Sequence, residues 1–303
     1  MLPDHITCCY LYPITKYGYP PPAEQTGVYL QEMHDLGFSS VELEGIHEPH
    51  LRMMYEGRFK TRETMERLGL SVPYFCIVLP ELSSPDRATR DYNLKLFEKG
   101  CETAHVLGAD GVLDNAPLPP YVFPEDVPVV RHYEEDVLMD ASFPQEMEWS
   151  RYWTDLVETF RTACDIAAHY NLTYQMHPCM GVLCANTDGF INFYNAVQRD
   201  NLRFNLDTAN QFVLKDNLAL SLRRLVGKVD YIHLSDNRGH HVEHLEPGKG
   251  AINWDVFFNE LTRIGYKGRF GLDIGGSESD IEDLDAAYTS AARWLLKRWP
   301  STG

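Results

Sequence analysis

Short apolar runs alternate with stretches of helical spacing along almost the whole chain. Runs with period-two alternation and β-branched or aromatic content fall at 6–11, 40–44, 72–78, 111–115, 173–177, 203–207, 229–235 and 269–274. Between them, spacing near 3.6 predicts helices at 24–37, 59–69, 87–108, 146–170, 186–198, 217–226, 254–265 and 281–298. Gly37, Gly69, Gly108, Gly227 and Gly265 each follow a helical stretch, where a C-terminal glycine belongs. Strand followed by helix, eight times over, is the count of a (β/α)8 barrel. The expected fold is therefore α/β, a single domain over 1–303, within reach of the roughly 250 residues such a barrel needs.

The alternation also says which side chains face inward. In the last four runs the outward set is apolar, while the inward set is polar or small: Thr173, Gln175 and His177; Asn205 and Asp207; Tyr231 and His233; Gly271 and Asp273. A barrel interior is normally filled by Val, Ile and Leu, and an unpaired polar group there costs roughly 1–3 kcal/mol. Gln175 in LTYQMHP, Asp207 in LRFNLDT, His233 in VDYIHLSD and Asp273 in RFGLDIG stand at the ends of their runs. They are expected to converge at one mouth and hold a divalent cation, which would offset that cost.

Composition narrows the function classes. A formal charge of −17 repels phosphodiester backbones and anionic lipid, so neither nucleic acid nor a membrane surface is expected as a partner. No run approaches the 18–20 apolar residues of a membrane span, and the first residues lack a basic-then-apolar leader, so a cytoplasmic location is expected. The seven cysteines show no metal-knuckle spacing and read as small buried hydrophobes, with Cys179 beside the site the exception. One stretch, 115–145, is rich in Pro and acidic residues and too long for a simple turn. Following the fourth strand, it should overhang the mouth as a lid or form a subunit contact. No GxGxxG or GxxxxGK[ST] cradle and no G-x-S-x-G elbow occurs, which leaves metal-assisted proton transfer.

The segments TYQMHP, FNLDTAN, HLSDNRG, EPGKGAINWDVFFNELTRIGYKG and GLDIGG resemble the xylose-isomerase-like TIM barrels, among them sugar isomerases, ketose 3-epimerases, inosose dehydratases and AP endonucleases. The PGxG-x-I-x-W segment followed by IGY-x-G is the most specific part. In the epimerase branch the matching strand ends supply Glu, Asp, His and Glu to Mn2+ or a similar ion. The resemblance carries those places to Gln175, Asp207, His233 and Asp273, with Mn2+ favoured and Mg2+, Co2+ or Zn2+ as alternatives. The chain departs from the pattern twice: Gln175 stands where a Glu would also move a proton, and Asp273 is one methylene shorter than Glu. The base is then expected to be Asp273 or His177, the latter matching the His of the family's Glu-x-His pattern. The AP-endonuclease branch needs a His three residues after the sixth-strand Asp, where this chain has Asn210.

Around this centre, Glu42 and Glu44 alternate inward on the second strand. Glu44, His47, Asp114 and Arg238 are candidate substrate contacts, each with a solvated or structural competitor. His240, His241 and His244 look like a metal tract but sit on what reads as a mobile loop. Trp149, Tyr152 and Trp153 offer faces for a sugar, with core packing as the alternative. The expected activity is a metal-dependent isomerase or epimerase of a keto-sugar. Alternatives are a lyase eliminating from a 3-keto sugar or glycoside, and an inactive sugar- or partner-binding barrel. A homo-oligomer or a small partner subunit is compatible with either.

Overall fold

A computed structural model describes residues 1–124, 133 and 135–300. Among the described residues, ten strand segments form two parallel five-stranded sheets. In chain order they are β1 (Ile6–Cys8), β2 (Ser40–Val41), β3 (Leu43–Ile46), β4 (Tyr74–Val78), β5 (Gly111–Asn115), β6 (Thr173–His177), β7 (Leu202–Phe204), β8 (Leu206–Asp207), β9 (Tyr231–Leu234) and β10 (Arg269–Leu272). One sheet runs β2-β1-β10-β9-β8 and the other β3-β4-β5-β6-β7. Only Glu42 separates β2 from β3, and only Asn205 separates β7 from β8. Both carry the ladder across the gap, Glu42 N–H donating to Cys8 O at 2.8 Å and Asn205 N–H to Met176 O at 2.9 Å. The two sheets thus close into one barrel of eight staves, as the alternation predicts.

The helices around it are α1 (Leu11–Tyr17), α2 (Thr26–Asp35), α3 (His47–Leu68), α4 (Arg87–Leu107), α5 (Glu135–Met139), α6 (Trp149–His169), α7 (Thr187–Val197), α8 (Thr208–Val213), α9 (Leu218–Arg224), α10 (Trp254–Ile264) and α11 (Leu284–Arg298). Eight of the sequence expectations recur, with ends shifted. The largest shift is at α3, which begins at His47 rather than near 59. Pro49 reads as a breaker, yet it lies in the first turn, where its missing N–H has no partner to lose. Likewise α1 starts at Leu11, inside the first expected strand, with Pro13 in its opening turn. The third addition, α8, starts directly from the strand end at Asp207, whose side chain caps it.

Between barrel and helices lies a shell of rings, where Tyr174 contacts Phe97 and Phe160, and Phe193 meets Phe160 edge-on. All seven cysteines are buried and reduced, Cys179 included. Tyr152 and Trp153 serve this packing, Tyr152 by donating to Ser83 O and Trp153 by an edge contact with Phe193. No helix among the described residues is long and apolar enough to cross a membrane. Part of the long connection after β5, at 125–132 and 134, lies outside the described residues, and the lid or subunit contact expected of it falls partly there. Its flanks pair Val122 with Ser142 and fasten to the loop after β6 through Tyr121, whose hydroxyl donates to Gly181 O at 2.7 Å.

Candidate metal centre

The barrel interior is built in layers. In the lower one Gln175 Nε2 donates to Asp230 Oδ1 at 2.5 Å and to Thr173 Oγ1 at 3.2 Å. Asp230 immediately precedes β9, so the amide is turned toward the amino-terminal end of the barrel and away from its mouth. Gln175 Oε1 is buried with no hydrogen-bond partner among the described residues. Tyr74 and Tyr231 stack beside this layer with centroids 4.3 Å apart and fill the interior.

One layer up, His177, Asp207, His233 and Asp273 each offer a donor atom, all within 4.8 Å of one another and all buried. Three of the four ligands expected from sequence are brought together. His177, expected as a base, completes this group of four, while Gln175 lies one layer below it. The two side chains lie on the same inward face of β6, but Gln175 is drawn downward by Asp230.

Each donor is held by a second contact. His177 Nε2 lies 2.9 Å from Asp207 Oδ2, and its Nδ1 lies 3.2 Å from Asn115 Oδ1. Asp207 Oδ1 accepts the Asn210 N–H at 2.7 Å, leaving Oδ2 for the centre. His233 Nε2 is 3.1 Å from Glu42 Oε2, while its Nδ1 faces Asp273 Oδ2 at 3.8 Å. Burial lowers the His177 pKa, only partly offset by its hydrogen bond to Asp207. Burial also works against protonated His233, but the Glu42 carboxylate, with Asp273 and Asp207, outweighs it and pushes the pKa up to about 9. Asp207 goes the other way: burial alone would raise it, and His177, His244 and His233 hold it well below the usual carboxylate range.

The pocket above these groups is lined by Tyr19, Glu44, Cys76, Val78, Leu113, Asn115, His177, His233 and Asp273. Of the four candidate substrate contacts, it contains Glu44 alone. His47 opens α3 and sets its ring edge-on to Tyr19, centroids 6.3 Å apart, behind the pocket wall. Asp114 faces the helices, where it accepts the Tyr174 hydroxyl at 2.9 Å and burial raises its pKa. It borders a separate, mainly apolar cavity, and its neighbour Asn115 is the residue that turns inward. The Arg238 guanidinium is occupied by Glu243 at 2.6 Å and Asp280 at 2.8 Å, on the outer surface.

His244 is the residue most underrated by sequence. The loop after β9 returns as two antiparallel bridges, Asp236 with Leu245 and His244 with Gly275, which press His244 into the mouth. There it is fully buried, with Nε2 3.5 Å from Asp273 Oδ2 and 3.9 Å from Asp207 Oδ2, and Nδ1 3.0 Å from Glu278 Oε1. His240 and His241 stay exposed. The turn that brings His244 back is organised by Asp236. Its Oδ2 accepts Gly248 N–H at 2.7 Å and Trp254 Nε1–H at 2.8 Å, and its Oδ1 accepts Asn237 N–H at 2.9 Å and Ile252 N–H at 3.2 Å. That explains the PGxG-x-I-x-W pattern: a Cβ on Gly250 would lie 2.3 Å from Asp236 Oδ1.

Two imidazoles and two carboxylates make a donor set of charge −2, suited to a divalent ion such as Mn2+, Co2+ or Zn2+. His233 Nδ1, buried and without a hydrogen-bond partner among the described residues, is the atom such an ion would satisfy.

Comparison with known proteins agrees with this architecture. The family described as xylose isomerase-like TIM barrel matches residues 30–298. The L-ribulose 3-epimerase of Mesorhizobium japonicum is 25% identical over 141 residues, 46% of each chain. The 2-oxo-tetronate isomerase of Haemophilus influenzae is 24% identical over 153 residues, 49% of this chain and 58% of its own. The chain thus spans about half the length of the curated relatives it matches. Among solved structures, D-allulose 3-epimerase from Methylomonas sp. in complex with D-allulose superposes with a TM-score of 0.74 at 14% identity, covering 98% of this chain and 99% of that one. A 3-keto-D-glucoside 4-epimerase from E. coli gives 0.73 at 15% identity, over 97% and 100%.

Proposed function

Because the chain belongs to the xylose isomerase-like TIM-barrel family, we propose that it is a metal-dependent sugar isomerase or epimerase whose ion is held by His177, Asp207, His233 and Asp273. The observation that carries this reading is the convergence of those four buried donors within 4.8 Å, beneath a pocket that also contains Glu44. Curated relatives named as an L-ribulose 3-epimerase and a 2-oxo-tetronate isomerase support the reaction class. Their common substrate chemistry is a polyhydroxylated chain with a carbonyl, and we extend that class, a keto-sugar or sugar acid, to this protein.

A divalent ion at this centre would supply Lewis acidity, lowering the barrier to removing a C–H proton beside a carbonyl. The protein supplies the rest. His177, with its proton affinity lowered by burial, serves as a neutral imidazole ligand and not as the base. An amide cannot accept a proton near neutral pH, so Gln175 takes no part in the transfer. Asp273 is the base at the pocket floor, and Glu44, which lines the same pocket from β3 with only the β1 stave between it and β10, is the second acid–base group that an epimerase needs. Tyr19, Val78 and Leu113 wall the pocket and limit water.

The experiment is proton exchange in D2O. Metal-loaded protein incubated with D-allulose, D-fructose and L-ribulose should introduce deuterium next to the carbonyl without loss of water from the sugar, and Asp273→Asn should abolish it. Dehydration of the sugar would replace this reading with a lyase. Tight sugar binding with neither reaction would leave a binding barrel.

A further inference from the structure

Beneath the four donors lies a second buried cluster, Cys9, Glu42 and His233, again with one atom each within 4.8 Å. Its atoms are accounted for by hydrogen bonds within the protein. Tyr231 Oη donates to Glu42 Oε2 at 3.0 Å, Cys9 Sγ lies 3.5 Å from the same hydroxyl, and Glu42 Oε2 is 3.1 Å from His233 Nε2. The arrangement is that of a support, one carboxylate oxygen receiving two donors, and we infer that Glu42 is the positioning residue that fixes which nitrogen of His233 faces the metal centre. This inference rests on the metal-dependent reading above.

The geometry is specific. Glu42 occupies the one-residue gap between β2 and β3, and its backbone N–H continues the ladder to Cys8 O. That pins the side chain inward, where it is 1% exposed. With Nε2 committed to Glu42, His233 carries its proton there and turns Nδ1 toward Asp273 Oδ2, 3.8 Å away. A carboxylate behind a ligating histidine sets the tautomer, orients the ring and raises its basicity as a ligand. Space for the support comes from Gly271, the inward residue of β10 beside His233. A Cβ there would lie 2.3 Å from Tyr231 Oη and 2.5 Å from Cys9 Sγ, displacing the hydroxyl that orders Glu42.

The test measures Co2+ binding by the purified full chain, using the cobalt d–d absorption as the readout, alongside ¹⁵N NMR of the His233 ring in the metal-free protein at a pH above about 9, where the ring is neutral and its tautomer can be read. Glu42→Ala should weaken Co2+ binding by roughly 10–100-fold and change the cobalt spectrum. Glu42→Gln, which keeps an acceptor oxygen for Nε2–H, should recover part of the affinity and restore the Nε2-protonated ring signature. Glu42→Ala and Glu42→Gln proteins that bind Co2+ with the wild-type affinity and spectrum would overturn the inference while leaving the metal centre intact. No Co2+ binding by the wild type would overturn both. If Glu42→Ala fails to fold, the Gln variant decides alone through its Co2+ affinity, which a positioning role lowers in part and a purely structural role leaves at the wild-type value.

Discussion

Gln175 Nε2 donates to Asp230 Oδ1 at 2.5 Å, one layer below the contact between His177 and Asp207. That pairing explains an amide where a carboxylate would otherwise stand. Asp230 is part-exposed, yet burial raises its pKa, only partly offset by the Gln175 hydrogen bond and by Arg203. Gln175→Glu would set two carboxylates against each other there, destabilising the fold by about 1–3 kcal/mol at neutral pH. The pair would share a proton as pH falls, so the loss should shrink in acid. Thermal unfolding at pH 5 and pH 8 measures it, and elemental analysis of the same samples should find the metal retained in Gln175→Glu and lost in His177→Ala. A Gln175→Glu protein that is stable and binds metal more tightly would show that this side chain reaches the ion.

The raised pKa of His233, about 9, sets a pH dependence with a definite sign. In the metal-free protein the protonated ring is stabilised by folding. Its contribution is fully present below the unfolded value near 6.5 and is lost as pH rises toward 9. Metal binding needs the neutral ring, so affinity should climb over the same interval and binding should release a proton. Calorimetric titration with Zn2+ in two buffers of different ionisation enthalpy counts that proton. A pH-independent affinity between 6.5 and 9, or no proton released at pH 7.5, would rule the assignment out.

Asp236 is the most concentrated structural liability outside the barrel. Four N–H donors share its carboxylate, and Asp236→Ala would strand them in a buried turn, at roughly 1–3 kcal/mol for each one that finds no water. Urea unfolding should show a severe loss for Asp236→Ala. Trp254→Phe, which removes one donor and keeps the ring packing, should lose only about 1 kcal/mol. Equal effects of the two variants would mean that the cradle is not organised by the carboxylate.

The barrel itself was legible because period two is a property of every stave, and inward polar residues at Asp207, His233 and Asp273 have no apolar explanation. The same rule could not separate Gln175 from His177. Both face inward, and which way a long side chain leans along the barrel depends on Asp230, 55 residues away. Asp114 misled for the opposite reason: polarity suggested the interior, but the phase of β5 sends Leu113 and Asn115 inward and Asp114 to Tyr174. The motif around Gly248 and Gly250 was readable as a family mark, while its physical cause, an aspartate buried in the preceding loop, is a tertiary fact.

His244 supplies the last prediction, because its two neighbours in sequence are natural controls. His240 and His241 are exposed, whereas His244 is buried with Nε2 3.5 Å from Asp273 Oδ2 and Nδ1 against Glu278. A group that close to the proposed base is placed to orient it and to pass a proton to or from it, and such assistance is typically worth about 10²–10⁴ in rate. His244→Ala should therefore slow deuterium uptake by the sugar by that order, while His240→Ala and His241→Ala stay near wild type. His244→Gln, which keeps a donor in place without an imidazole, should recover orientation but not proton movement, separating the two contributions in the exchange rate. Three alanine variants of equal activity would remove His244 from the site and return it to the role of a loop residue.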